Sequence, residues 1–141
     1  MKKGKSETYE MVIGTIPGYA TQNGFDFTKQ KTREELFLIY NKIALETEEQ
    51  TGIYVPIVIS KCDTLYKNEW GCPNGGEPCY KVSATRNPFF VKDAVKYETV
   101  VLKNFDALRK ELKQKTAMVT KTENIDLYYF TEAYKRLGEE L

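Results

Sequence analysis

The chain contains no histidine, so any general acid or base must be a Lys, Tyr, Cys, Asp or Glu side chain. That removes Ser-His-Asp and Cys-His nucleophile pairs, the H-E-x-x-H metal site and every imidazole base. Among the groups left, Lys61, Asp63, Tyr66 and Trp70 line one strand and the turn after it, with Tyr80 opposite. Side chains alternate along a strand, which puts Lys61 and Asp63 on the same face. Burial of such a group moves its pKa toward neutrality and makes it an acid or base. The plainer reading is ordinary cross-strand electrostatics. Arg86 is the second candidate. The other arginines, Arg33, Arg109 and Arg136, fall on expected helices or the tail, whereas Arg86 ends a strand beside Asn87-Pro88 and Phe89-Phe90. A guanidinium there grips a carboxylate or phosphate bidentately while Phe89 stacks on the ligand. A salt bridge to Asp63 or Glu98 is its structural alternative.

Cys62, Cys72 and Cys79 have the spacing C-x9-C-x6-C. Structural zinc wants four tetrahedral ligands, usually from short C-x2–4-C knuckles, and this chain has neither a knuckle nor a histidine. No metal is therefore expected, and in a reducing compartment the three are thiols. Cys72 and Cys79 flank a tight turn and are the pair to form a disulfide under oxidation. The stretch from Gly14 to Gly24 is long for a strand-to-helix connection, which usually takes ~2–6 residues. It lacks the Walker and dinucleotide-binding glycine patterns, so no cofactor is expected. It reads as a surface loop docked by Phe25 and Phe27, or else as a ligand contact at a helix N-terminus.

These residues sit in a chain of 141 residues, a length suited to one domain. Hydrophobic residues are 41% and aromatics 13%, enough to fill a core, and the net charge is only +1. A dedicated nucleic-acid binder carries a clear basic excess, so no nucleic-acid partner is expected. Residues 1–8 are polar, with no apolar run behind their lysines, and read as a flexible tail ahead of a single domain over 9–141. No window reaches the ~20 apolar residues of a membrane span. The expectation is a cytoplasmic protein with no membrane partner.

The elements follow from periodicity and punctuation. Tyr9–Ile16 reads as a strand stopped by Pro17-Gly18. Thr32 and Glu35 form a capping box for a helix whose positions Leu36, Ile39, Tyr40, Ile43 and Thr47 share a face, ending at Gly52. Ile53–Tyr66 reads as a long strand, with Pro56 marking an edge or bulge. Residues 67–78 form a turn, and Cys79–Arg86 resumes the hairpin. From Val91 the apolar spacing predicts one continuous helix, with a short strand over 97–102 and a later helix as the rival parse. Thr116–Thr120 and Ile125–Phe130 read as two strands around Glu123-Asn124, and Glu132–Leu141 as a short helix-prone tail.

The resulting β-α-β-β-α-β-β order is a split β-α-β plan: an α+β fold with two helices on one face of a mainly antiparallel sheet. In element order it resembles the ferredoxin-like and tautomerase-like folds. A tautomerase presents proline directly after the initiator methionine, where this chain has Lys2, so no activity is carried over. The uncovered face, expected from Tyr54, Val58, Tyr66, Tyr80 and Val82, suggests a homo-oligomer. The function expected from these observations is non-catalytic binding of a small anionic or aromatic ligand at Arg86, Phe89, Tyr66, Trp70, Lys61 and Asp63. The alternatives are a histidine-free isomerase or lyase using Lys61 or Cys62 with Tyr66, and a protein-interaction module built on the Trp70 hairpin.

Overall fold

The computed structural model describes residues 1–17 and 26–132. Its elements are β1 (Lys2–Gly14), α1 (Arg33–Thr51), β2 (Val58–Thr64), β3 (Glu77–Thr85), α2 (Ala94–Glu111) and β4 (Val119–Tyr129), with short 3-10 turns at Phe27–Lys29 and Asn68–Trp70. The strands form one sheet in the order β2-β3-β1-β4, antiparallel at every pairing. This is the expected two-layer α+β plan, and the strand order is that of the split β-α-β arrangement. Tyr9, Met11 and Ile13 of β1 and Tyr80, Val82 and Ala84 of β3 pack beneath Leu36, Tyr40 and Ala44 of α1 and Val101, Phe105 and Leu108 of α2. Among the described residues no helix is long and apolar enough to cross a membrane.

Local chemistry explains the helices. Thr32 Oγ1 accepts the Glu35 N–H at 3.1 Å and the Glu35 carboxylate accepts the Thr32 N–H at 3.3 Å, closing the expected capping box. Gly52 ends α1 in the left-handed region, φ 79°. Asp93 caps α2 by accepting from the Lys96 N–H, and the helix runs unbroken, so the rival parse with a strand over 97–102 is set aside. Asn104 on α2, fully buried, accepts from Thr47 and donates to the Tyr40 hydroxyl, which in turn donates to Val55 O. Both helices are thereby tied to the segment that leads into β2.

Several expectations are corrected. Residues 1–8 are not a loose tail, because β1 begins at Lys2 and pairs with β4, from Lys2 opposite Tyr129 to Lys5 opposite Asp126. A Lys5–Asp126 ion pair at 2.7 Å decorates that pairing. The strand is polar here because hydrogen bonds to β4, and not apolar burial, define it. The strand expected over 53–66 begins only at Val58. Ile53 and Val55 are buried, but as a connection, and Pro56 lacks the N–H a ladder needs. The two strands expected near the C-terminus are one, β4, bent by a bulge where Glu123 and Asn124 face Glu7, with Asn124 at φ 57°. Tyr80 and Val82 lie in the core beneath the helices, so they do not supply the open sheet face. Phe27 is 51% exposed. Phe25, most of the loop before Gly24 and the tail after Glu132 lie outside the described residues.

Candidate active site

Register decides which side chains meet on the face turned away from the helices. On the β2–β3 ladder, Lys61 pairs with Tyr80 toward the helices, so the alternate pairs, Cys62 with Cys79 and Thr64 with Glu77, point to the other side. The connecting turn carries Gly71, Gly75 and Gly76 at positive φ. Gly76 also passes so close to Thr64 that a Cβ there would sit 3.2 Å from its carbonyl oxygen. This tight return brings Tyr66 back over the start of β3, where its hydroxyl donates to Glu77 Oε1 at 2.9 Å. Thr64 Oγ1 donates to Cys79 Sγ at 3.4 Å, and Cys79 Sγ lies 4.0 Å from Glu77 Oε2.

Gly14, opposite Cys79 on β1, completes the cluster. A Cβ at Gly14 would collide with Glu77 Oε2 and would sit 2.6 Å from Gln114 Oε1. The missing side chain is thus the space into which the Glu77 carboxylate and the Gln114 amide reach. Gln114, buried just past the end of α2, donates through Nε2 to Ile16 O at 2.6 Å and to Leu112 O at 3.3 Å. It ties the end of α2 to the chain leaving β1.

Burial and the neighbouring Glu77 together push the Tyr66 phenol above the ordinary tyrosine range, so it remains a proton donor. Burial raises the Cys79 thiol to about 11 and also raises Cys62. Neither cysteine is an activated nucleophile. The chemical capacity of this corner is therefore a carboxylate held by a neutral phenol, suited to facing a cation and to orienting a polar substrate.

The residues expected from sequence do not form one site. Tyr66 belongs to the cluster. Trp70 stands on the turn, 70% exposed, with Lys67 Nζ 5.6 Å from its ring centroid. Lys61 and Asp63 share a face, as alternation requires, but that face is the helix side. Arg86, 6% exposed, lies toward the other end of the sheet. Its Nε and Nη2 donate to the two Glu7 carboxylate oxygens at 2.7 and 2.9 Å, while Nη1 donates to Val91 O. It has taken the salt-bridge role, with Glu7 as partner in place of Asp63 or Glu98. Phe89 stacks on Tyr129, ring centroids 6.0 Å apart. Glu77, Gly14 and Gln114 were not singled out from the sequence. The signal for Glu77 was its place at the Gly75-Gly76 exit of the hairpin, reachable by counting the register outward from the turn.

A family model described as SAM lyase matches residues 4–131, and the chain belongs to that family. Among solved structures, it is similar to a phage SAM lyase in the apo state, with TM-score 0.51 and 13% identity, covering 93% of this chain and 94% of that one. It is equally similar to a phage SAM lyase in complex with S-methyl-5'-thioadenosine, with TM-score 0.51 and 13% identity over 94% of this chain and 95% of that one. At such identity the likeness is one of fold. No curated protein sequence matches the chain.

Proposed function

We propose that this protein is an S-adenosylmethionine lyase that releases S-methyl-5'-thioadenosine, with Glu77 and Tyr66 at the centre of its site. Family membership supports the reaction class, and the hydrogen-bonded Tyr66–Glu77 pair on the open sheet face carries the assignment of the site. The thioadenosine product is what remains when the bond between the sulfonium sulfur and the Cγ of the amino-acid chain breaks. The bonding electron pair returns to sulfur, turning a cation into a neutral thioether. If the substrate's own carboxylate oxygen forms the new bond to Cγ, the other product is a lactone and no proton moves. That chemistry asks for no imidazole, in keeping with a chain that has none.

The protein's task is then positioning and electrostatics. Glu77 offers negative charge to the cationic part of the substrate, and Tyr66 fixes the orientation of that carboxylate. In this reading Trp70, exposed on the same hairpin, is available to the adenine ring. Homo-oligomerisation through the open sheet face and a cytoplasmic location belong to the same proposal. Lys61 and Asp63, on the helix side, and Arg86, spent on Glu7, take no part.

Incubating the purified protein with S-adenosylmethionine and resolving the products by chromatography and proton NMR tests the proposal. Formation of S-methyl-5'-thioadenosine with lactone methylene signals is the expected result, and vinyl signals would instead mark loss of a Cβ proton to a base. Binding of the thioadenosine without turnover would return the chain to the non-catalytic binding role expected from its composition. Neither binding nor turnover would defeat both.

A further inference from the structure

We propose that Cys62 and Cys79 form a modification site, a cross-strand thiol pair that peroxide converts to a disulfide beside the Tyr66–Glu77 corner. The two are direct partners on the antiparallel β2–β3 ladder and point to the face away from the helices. Opposed residues in such a ladder have Cα atoms about 4.5 or 5.5 Å apart, depending on their hydrogen bonding. Both spacings fall inside the roughly 4.4–6.8 Å that a disulfide spans. Their Cβ atoms start about 4.5–5.5 Å apart and must close to about 3.5–4.5 Å. β2 can supply that movement, because it is an edge strand whose neighbour in the sheet is β3 alone. Cys72 is directed elsewhere: its Sγ lies 3.5 Å from Pro73 O and 3.9 Å from Thr64 O.

Exposure sets the order of events, since Cys62 is partly exposed and Cys79 is buried. Hydrogen peroxide meets the Cys62 sulfur first. One peroxide oxygen passes to that sulfur, giving a sulfenic acid, and water leaves. The Cys79 sulfur then attacks the Cys62 sulfur: the S–S bond forms, the S–O bond breaks, and the hydroxyl departs as water with the Cys79 proton. In sum two thiols are oxidised and one peroxide is reduced to two waters. Burial keeps both thiols protonated, so the pair reacts slowly and records sustained oxidation. The bond also changes the corner it adjoins. In the thiol form Cys79 Sγ accepts from Thr64 Oγ1 at 3.4 Å and lies 4.0 Å from Glu77 Oε2. Turning that sulfur toward Cys62 takes its proton away from the Glu77 side and weakens the Thr64 contact. This effect on turnover rests on the lyase reading, whereas the bond itself does not.

Treating the native protein with hydrogen peroxide, then alkylating and digesting it without reductant, tests the assignment by mass spectrometry. Intact mass should fall by two hydrogens, and one peptide should join Cys62 to Cys79 while Cys72 is alkylated. Cys62→Ser and Cys79→Ser should each abolish that species, and Cys72→Ser should keep it. Should Cys79→Ser fail to fold, the Cys62→Ser comparison still decides. Linkage through Cys72, links between chains only, or oxygen addition with no bond would overturn the proposal. Turnover of S-adenosylmethionine should fall about threefold on oxidation, the worth of one weak hydrogen bond, and recover with dithiothreitol. A Cys62–Cys79 bond with unchanged turnover would uphold the site and overturn its effect on catalysis. A bond in a protein that never turns over S-adenosylmethionine would uphold the site and count against the lyase reading alone.

Discussion

The Tyr66 hydroxyl reaches the Glu77 carboxylate at 2.9 Å across the mouth of the hairpin that joins β2 to β3. Glu77→Gln keeps an acceptor for that hydroxyl and removes only the charge. Turnover of S-adenosylmethionine should fall by about 10²-fold in kcat/KM, mainly through a raised KM, because a charged contact to the cationic substrate is lost. Tyr66→Phe should cost about tenfold, the worth of one hydrogen bond to a charged group. Because Tyr66 is held above the ordinary tyrosine range, the pH profile of the parent should show no falling limb near pH ~10 from tyrosine ionisation. Steady-state kinetics across pH checks all three.

Gly14 gives a sharper test, since the atoms a new Cβ would meet are the far ends of the Glu77 and Gln114 side chains. The Glu77 end can swing aside, but the buried Gln114 amide must give up part of its hold on Ile16 O and Leu112 O, so Gly14→Ala should cost about 1–2 kcal/mol of stability and still fold. It must displace the Glu77 carboxylate, however, and activity should drop at least tenfold. Equal activity in a folded Gly14→Ala protein would mean that the position of that carboxylate does not matter.

The Glu7–Arg86 pair makes a stability prediction. Arg86, hydrogen-bonded to both oxygens, holds the Glu7 carboxyl below its usual value of 4.5. A lowered native pKa favours the ionised form, so this stabilisation is complete above about pH 4.5 and disappears as pH falls through the lower native value. Arg86→Met and Glu7→Gln each strand a buried partner and should cost about 3–5 kcal/mol at pH 7. The double variant should cost less than the sum. Urea unfolding at neutral and acidic pH should show the Glu7→Gln deficit shrinking in acid.

The cysteines are expected to be slow. Burial raises the Cys79 thiol to about 11, so its thiolate fraction at pH 8 is down about 100-fold relative to an ordinary thiol. An aromatic disulfide reagent should titrate all three cysteines in denaturant but leave Cys79, and more mildly Cys62, lagging in the native protein. A fast native phase at Cys62 would revive it as a nucleophile. All three are free thiols, with Cys79 facing Cys62 across the ladder.

The fold was largely legible because its signals are local. The Thr32–Glu35 cap, Gly52 and the apolar spacing of α2 each act within a few residues. What escaped was set by distant partners. Lys2–Thr8 is a strand only because β4 returns beside it, and nothing in those polar residues announces that. Arg86 was rightly seen as unusual, but the carboxylate that claims it lies 79 positions earlier. Lys61 and Asp63 were correctly placed on one face, yet which face looked toward the helices depended on the whole sheet. Tyr66 was chosen, while Glu77 needed the hairpin register to be counted through three left-handed glycines.

The sheet also imposes an order on folding. β1 lies in the interior of the sheet, while its neighbour β4 is the last strand in chain order among the described residues. Contacts this far apart in sequence close late, because the loop entropy must be overcome before they form. The α1, β2 and β3 segments can assemble against the second half of β1 while its first half still waits. During that interval the backbone of Lys2–Glu7 is an open edge, able to pair with any extended chain nearby. The lysines at positions 2, 3 and 5 place repelling charge along that edge. Once β4 is in place, Lys5 pairs with its Asp126 and Lys3 lies over its Tyr128 ring, so the same charges that discourage a wrong strand hold the right one.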